Sequence, residues 1–149
     1  MKLQDKVVLV TGASRGIGAE IARLAVARGA KCGLLARTQA DLDRVRDQIG
    51  GTCASAIADV ADRAQVDAAV KKIAEELGPI DVAVVNAGVG LHGPFIDADV
   101  ADLDRVMRIN YMGSVHVLKA VIPSMIERRQ GHLAVIGSIS GRMGSPFCP

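Results

Sequence analysis

Five short apolar runs, at 6–11, 31–36, 53–58, 80–86 and 132–138, alternate with longer stretches at 16–28, 39–49, 62–77, 99–109 and 111–129. In the longer stretches apolar positions recur every three or four residues. The runs predict strands and the stretches predict helices. The period is clearest at 62–77, where Val66, Ala69, Val70, Ile73 and Leu77 fall on one stripe. Asp67, Lys71, Lys72, Glu75 and Glu76 mostly face water. Gly78-Pro79 ends that helix, because proline cannot continue the hydrogen-bond ladder. From Tyr111 to Met125 a second stripe runs through Val115, Leu118, Ile122 and Met125; Lys119 interrupts its edge, and Pro123 is expected to kink the helix. Repeated β–α alternation with right-handed crossovers predicts an α/β fold: a doubly wound parallel sheet with helices on both faces and strand order 3-2-1-4-5. No repeat or linker divides residues 1–149, so a single domain is expected.

The last run raises a separate expectation. Leu133-Ala134-Val135-Ile136 is apolar at every position, as suits a strand covered on both faces with neighbours on either side. The predicted order instead places it at an open edge with no charge to protect it. On this pattern more sheet is expected to follow.

Composition narrows the picture. Half of the residues are apolar, yet the aromatic ones are only Tyr111, Phe95 and Phe147. A core of Val, Ala, Ile and Leu with sixteen glycines suits closely packed strands and helices. The formal net charge is +2 and the basic residues form no stripe, which argues against a nucleic-acid partner. No apolar stretch reaches the roughly 20 residues needed to span a bilayer, so no membrane partner is expected. Met1-Lys2-Leu3-Gln4-Asp5-Lys6 lacks the apolar segment of a signal peptide, and a cytoplasmic location is the expectation. Cys32, Cys53 and Cys148 are odd in number and lack metal-ligand spacing; the first two fall at or beside apolar segments, as buried thiols do. His92, His116 and His132 also lack metal spacing, and no metal is expected. His132 reads as a strand entrance, His116 as a helix face and His92 as part of a loop at the mouth of a site.

The chemistry begins at Thr11-Gly12-Ala13-Ser14-Arg15-Gly16-Ile17-Gly18, between the run Val7-Val8-Leu9-Val10 and a helix-like stretch. Glycine is needed there because a Cβ would block close approach of the backbone to a pyrophosphate. The helix starting near Gly16 aims free N–H groups and its positive dipole end at such an anion. About 20 residues on, where an acid would bind an adenosine 2′-hydroxyl, the chain reads Leu34-Leu35-Ala36-Arg37-Thr38. Arg37, and Arg15 in the glycine loop, suit charge-assisted bonds to a 2′-phosphate; the plain alternative is two solvated surface arginines. Two arginines in the expected places and no acid favour NADP(H).

At this point the chain resembles the short-chain dehydrogenase/reductase family along its whole length. Thr11-Gly12-x-x-x-Gly16-Ile17-Gly18 is similar to the family's cofactor motif. Ala58-Asp59-Val60 resembles the segment whose aspartate contacts the adenine amino group, and Asn86-Ala87-Gly88 the motif that ends the fourth strand and steadies the central sheet near the cofactor. Asn110, within Ile109-Asn110-Tyr111, matches the asparagine that supports a proton-relay water. Gly131-x-x-x-x-Ile136-Gly137-Ser138-Ile139-Ser140-Gly141 resembles the fifth strand and catalytic-serine loop. The resemblance implies a Rossmann-type fold and hydride transfer between NADP(H) and a carbonyl or alcohol substrate. Ser138 and Asn110 would be the catalytic residues. Cofactor contacts would come from Gly12, Ser14, Arg15, Gly16, Ile17, Gly18, Arg37, Asp59, Val60, Asn86, Ala87 and Gly88. It also implies a homo-oligomer, with the helix from Tyr111 packing against its symmetry mate.

Ser140 competes with Ser138 for the catalytic place, and the family pattern favours Ser138. Asp59 or Asp62 would cap the helix beginning near Ala61. The acidic positions Asp97, Asp99, Asp102 and Asp104 read as a helix N-terminus complementing its dipole. One departure matters. The family's Tyr-x-x-x-Lys has no counterpart, since Tyr111 is followed four positions later by Val115 and lies beside Asn110. The expectation is therefore the N-terminal part of a longer one-domain oxidoreductase lacking the family's last strands. The alternative is a truncated, catalytically inactive NADP(H)-binding domain.

Overall fold

A computed structural model describes residues 2–143, so Phe147 and Cys148 lie outside the described residues. Each apolar run forms a strand: β1 (Val7–Thr11), β2 (Lys31–Ala36), β3 (Cys53–Ile57), β4 (Val82–Val85) and β5 (His132–Val135). Between them lie α1 (Gly16–Ala27), α2 (Gln39–Ile49), α3 (Arg63–Leu77), α4 (Val100–Met107) and α5 (Gly113–Glu127). All four strand pairings are parallel and the order is β3-β2-β1-β4-β5. The sequence-based order is thus the observed one.

Alternation along the central strands divides the core in two. Leu9, Leu35, Ala83 and Val85 pack with Val66, Ile73, Val117 and Val121 of α3 and α5. Val8, Val10, Leu34 and Val84 face Ala22, Ala25, Leu42 and Val45 of α1 and α2. β1, with all five residues buried, is where the helices change sides, and the two strands flanking it carry the crevice between them. The buried residues of α3 are Val66, Ala69, Val70, Ile73 and Leu77, the predicted stripe. Arg63–Asp67, Lys71–Glu75 and Lys72–Glu76 pair on the outer side at (i, i+4).

Two details differ from the sequence reading. The predicted helices at 99–109 and 111–129 are one helical path, because a π-helical turn at Arg108–Met112 joins α4 to α5 without a break. No glycine or proline stands before Gly113 to interrupt it, and the wider turn absorbs the change in helical phase. The buried face of α5 runs through Gly113, Val117, Val121 and Met125 at strict (i, i+4) spacing; Leu118 and Ile122 flank it, and Val115 lies outside it. Pro123 lies inside α5, which is helical on both sides of it. As the predicted order requires, β5 is at the edge, and it is exposed along its length, with Leu133 45% and Val135 53% accessible.

The N-terminal ends of three strands converge on Asp81, just before β4. Its backbone N–H donates to the Val7 carbonyl and its carbonyl accepts from His132, both at 2.9 Å. Its carboxylate, 14% exposed, accepts from the Val7 N–H (3.1 Å), Gln130 Nε2 (3.1 Å) and Arg128 Nη1 (3.3 Å). One residue therefore registers β1, β4, β5 and the end of α5. Among the described residues no helix is long and apolar enough to cross a membrane. Asp81→Ala, which strands the buried Val7 N–H and takes one acceptor from Arg128, is expected to lower the unfolding free energy by about 2 kcal/mol. Denaturant titration of the two proteins checks this; equal midpoints would remove Asp81 from the fold's supports.

Candidate functional site

A cavity of about 320 Å³ opens at the carboxyl ends of the central strands, where β1 parts from its neighbours. Four strand ends supply its walls. The loop after β1 gives Gly12, Ser14, Arg15 and Ile17, and the end of β2 gives Ala36 and Arg37. Asp59 and Val60 follow β3, while Asn86, Ala87 and Gly88 follow β4. Gly16 and Gly18, singled out with them from the sequence, shape the loop without lining the cavity.

The loop is crowded in a way only glycine permits. Gly12 has φ +66°, and a Cβ there would lie 2.9 Å from the Ala87 Cα. A Cβ on Gly18 would strike the Gly12 carbonyl. The loop, the start of α1 and the end of β4 thus touch backbone to backbone. Arg15 caps α1 in an extended conformation and offers no side-chain acceptor, and the first turn contains no acid. The leading N–H groups of α1 remain available to an anion.

Thr11, fully buried, joins the two central strands. Its Oγ1 accepts from the Asn86 and Ala87 N–H groups, each at 3.0 Å, while Asn86 Nδ2 donates to the Thr11 carbonyl at 3.0 Å. The sequence reading placed Thr11 in the glycine motif and did not foresee this bond set.

Charge at the cavity is one-sided at its β2 edge. Among the described residues the side chains of Arg15 and Arg37 have no ion-pair or hydrogen-bond partner. Most other arginines are paired, as in Arg23–Glu20, Arg63–Asp67, Arg105–Asp102 and Arg108–Asp104. Arg44 of α2, overlooked in the sequence, pairs with Asp41 and donates from Nη2 to the Ser14 carbonyl at 3.2 Å, so it holds the loop that carries Arg15. The choice between two caps for α3 is also settled. Asp62 accepts from the Gln65 N–H, which with the Gln65 side chain holds its carboxyl below the usual range. Asp59 instead bonds the Ala61 N–H at 2.9 Å within the cavity wall. Asp99 caps α4 by accepting from Ala101.

Asn110 and Ser138 stand beyond the cavity's walls. Asn110, in the π-helical turn, holds Val89 in both directions: Oδ1 accepts from its N–H and Nδ2 donates to its carbonyl, each at 2.8 Å. Val89 and Ile109 line the cavity, so Asn110 shapes it from behind. Ser138 follows β5, and its Oγ accepts from the Ser140 N–H at 3.2 Å. Tyr111 is exposed on the same π turn as Asn110.

Of the histidines, His132 opens β5 as read, whereas His116 is half-buried and bonds the Val60 carbonyl through Nδ1 at 2.8 Å. Cys32 and Cys53 are in register on β2 and β3 as free thiols. Burial pushes Cys32 up to about 12 and also raises Cys53, so both thiols stay protonated at neutral pH. Among the described residues no cluster of His, Cys, Asp or Glu could hold a metal.

Thr11→Val keeps the shape of the side chain but removes the acceptor of two backbone N–H groups. A loss of about 1–3 kcal/mol per stranded donor is expected, with weaker ligand binding at the cavity. Thermal unfolding of the variant checks it, and an unchanged melting temperature would refute the assigned tie.

Comparison with known proteins places this geometry. The family model described as short chain dehydrogenase matches residues 6–149. Dehydrogenase/reductase SDR family member 7B of Mus musculus is 39% identical over 97% of this chain and 47% of its own length. Oxidoreductase UcpA of Salmonella typhimurium is 41% identical over 95% of this chain and 55% of its own. The crystal structure of levodione reductase superposes with a TM-score of 0.92 at 31% identity, over 97% of this chain and 58% of that one. The chain spans about half the length of the curated relatives it matches.

Proposed function

This chain belongs to the short-chain dehydrogenase family, and from that membership we propose that its crevice binds NADP(H) for a carbonyl reductase or alcohol dehydrogenase. The observation that carries the cofactor choice is the pair Arg15 and Arg37, unpartnered among the described residues, beside a β2 end with no carboxylate. A 2′-phosphate would satisfy both guanidinium groups, where a bare ribose would leave them unused.

The residues fit such a group. Gly12 and Gly18 keep the backbone low, the start of α1 offers N–H donors, and Asp59 with Val60 forms the adenine end. When bound, the cofactor supplies hydride transfer between the nicotinamide C4 and the substrate carbon. Ser138 then has a defined task. One Oγ lone pair accepts from the Ser140 N–H, and the hydroxyl hydrogen is left to donate to a substrate oxygen gaining negative charge. Asn110 anchors Val89 and keeps one amide hydrogen and one Oδ1 lone pair for water.

This reading takes residues 1–149 as the nucleotide-binding part of a longer one-domain cytoplasmic enzyme. Its partners would be a small carbonyl or alcohol substrate and identical subunits. A second reading is nucleotide binding without turnover.

The test is carbonyl-dependent NADPH oxidation by the full-length gene product. Ser138→Ala is expected to lower kcat by about 10²–10³-fold, and a wild-type rate would remove Ser138 from the site. Arg37→Ala is expected to weaken NADPH binding by about tenfold or more while leaving NADH unchanged; equal losses would overturn the NADP(H) preference. Tight NADPH binding with no oxidation on a carbonyl panel would instead establish the second reading.

A further inference from the structure

The helical path from α4 into α5 touches the cavity wall twice, at opposite ends. At the π turn, Asn110 grips Val89 after β4. Six residues further along, His116 Nδ1 lies 2.8 Å from the carbonyl of Val60 after β3. A carbonyl only accepts, so Nδ1 carries the proton and donates. The helix also rests directly on Val60, since a Cβ at Gly113 would come 2.7 Å from Val60 Cγ2. Val60 is buried, lines the cavity and belongs to the core cluster containing Ile109 and Val117 of the same helical path. The turn on which it stands is tied to β2 at its entry, by the Ala58 N–H on the Ala36 carbonyl, and beyond that point by local bonds: Asp59 on the Ala61 N–H, the Asp62 N–H on the Asp59 carbonyl and Gln65 Oε1 on the Asp59 N–H.

We infer that His116 is a positioning residue for the adenine end of the crevice: its bond to Val60 fixes the wall against which the base lies. The helix carrying Asn110 thereby holds both ends of the site in one register. This rests on reading the crevice as a dinucleotide site. The effect is confined to the adenosine half, so it is independent of the 2′-phosphate and of the chemical step. The bond sets where the Val60 wall stands before ligand arrives, and its loss makes ordering that wall part of the cost of binding.

The experiment compares the full-length wild type with His116→Ala, His116→Asn and Arg37→Ala, titrated with NADPH, NADH and 2′,5′-ADP. His116→Ala is expected to weaken all three by a common factor of about five- to tenfold, since each carries the adenine. At saturating cofactor kcat stays unchanged while KM for the cofactor rises. His116→Asn, whose Nδ2 stands where Nδ1 did, recovers most of the loss, which a merely structural role for the ring would not produce. Unchanged affinities in His116→Ala would overturn the inference. So would a fall in kcat alone, or an Asn variant as weak as the Ala variant at equal melting temperature. The NADP(H) reading fails separately, if Arg37→Ala leaves the NADPH-to-NADH ratio of the wild type intact. Failure of the wild type to bind any of the three probes would remove the nucleotide site and this inference together.

Discussion

Everything at the crevice depends on how closely β1 and β4 are held at their carboxyl ends. A parallel pair at a switch point diverges into two loops running to helices on opposite faces, so its last backbone groups lose their strand partners. The buried Thr11 hydroxyl answers this by accepting two N–H groups from the end of β4, and Asn86 returns a bond to the Thr11 carbonyl. With that spacing set, Gly12 meets Ala87 backbone to backbone and Gly18 closes against Gly12. The glycines are a consequence of the tie: they are the residues that fit once the two strands are fixed that near.

The tie also explains why the opposite end of the sheet needs its own fastening. Asp81 joins β1, β4 and β5 at their starts as Thr11 and Asn86 join β1 and β4 at their finish. β4 therefore cannot slide relative to β1 without breaking bonds at both ends. The walls contributed by β2 and β3 are tied to the sheet by single backbone bonds, from the Ala13 N–H to the Leu35 carbonyl (3.2 Å) and from the Ala58 N–H to the Ala36 carbonyl (2.9 Å). Helices add side-chain braces to them: Arg44 of α2 on the Ser14 carbonyl, and α5 through His116 and Gly113 on Val60. A rigid centre with helix-braced flanks is a sensible way to receive a long, two-ended ligand.

How much of this was legible in the chain depended on whether the signal was local. Strand runs, the α3 stripe and the order of the sheet follow from periodicity and from the right-handed crossover, and the structure agrees with each. The glycine loop and the place of Arg37 at the cavity edge were legible because a turn and a strand end are properties of neighbouring residues. The overlooked contacts all span long sequence separations: Thr11 to Asn86, Arg44 to Ser14, His116 to Val60. Their residue types carry no pattern, since a helix histidine reads as an ordinary helix face until the fold brings a carbonyl to it. The π turn was misread as a gap between two helices because its wider phase breaks a 3.6-residue period without breaking the helix. The α5 face was misphased for the same reason, its stripe having been counted from Tyr111 as though the helix began there.

The electrostatics of the site show why net charge alone says little. A formal charge of +2 spread over 149 residues creates no field that would draw an anion. The sign of the cavity is set instead by where neutralisation has been carried out. Along α1, α2, α3 and α4 acidic residues meet arginines or lysines three or four positions away, cancelling locally. The first turn of α1 is left without an acid, and two guanidinium groups at the edge of the crevice are left without partners among the described residues. Helix dipole and arginines thus add at one place while the rest of the surface sums to nearly nothing. A field of this kind acts within contact distance and contributes little to long-range capture.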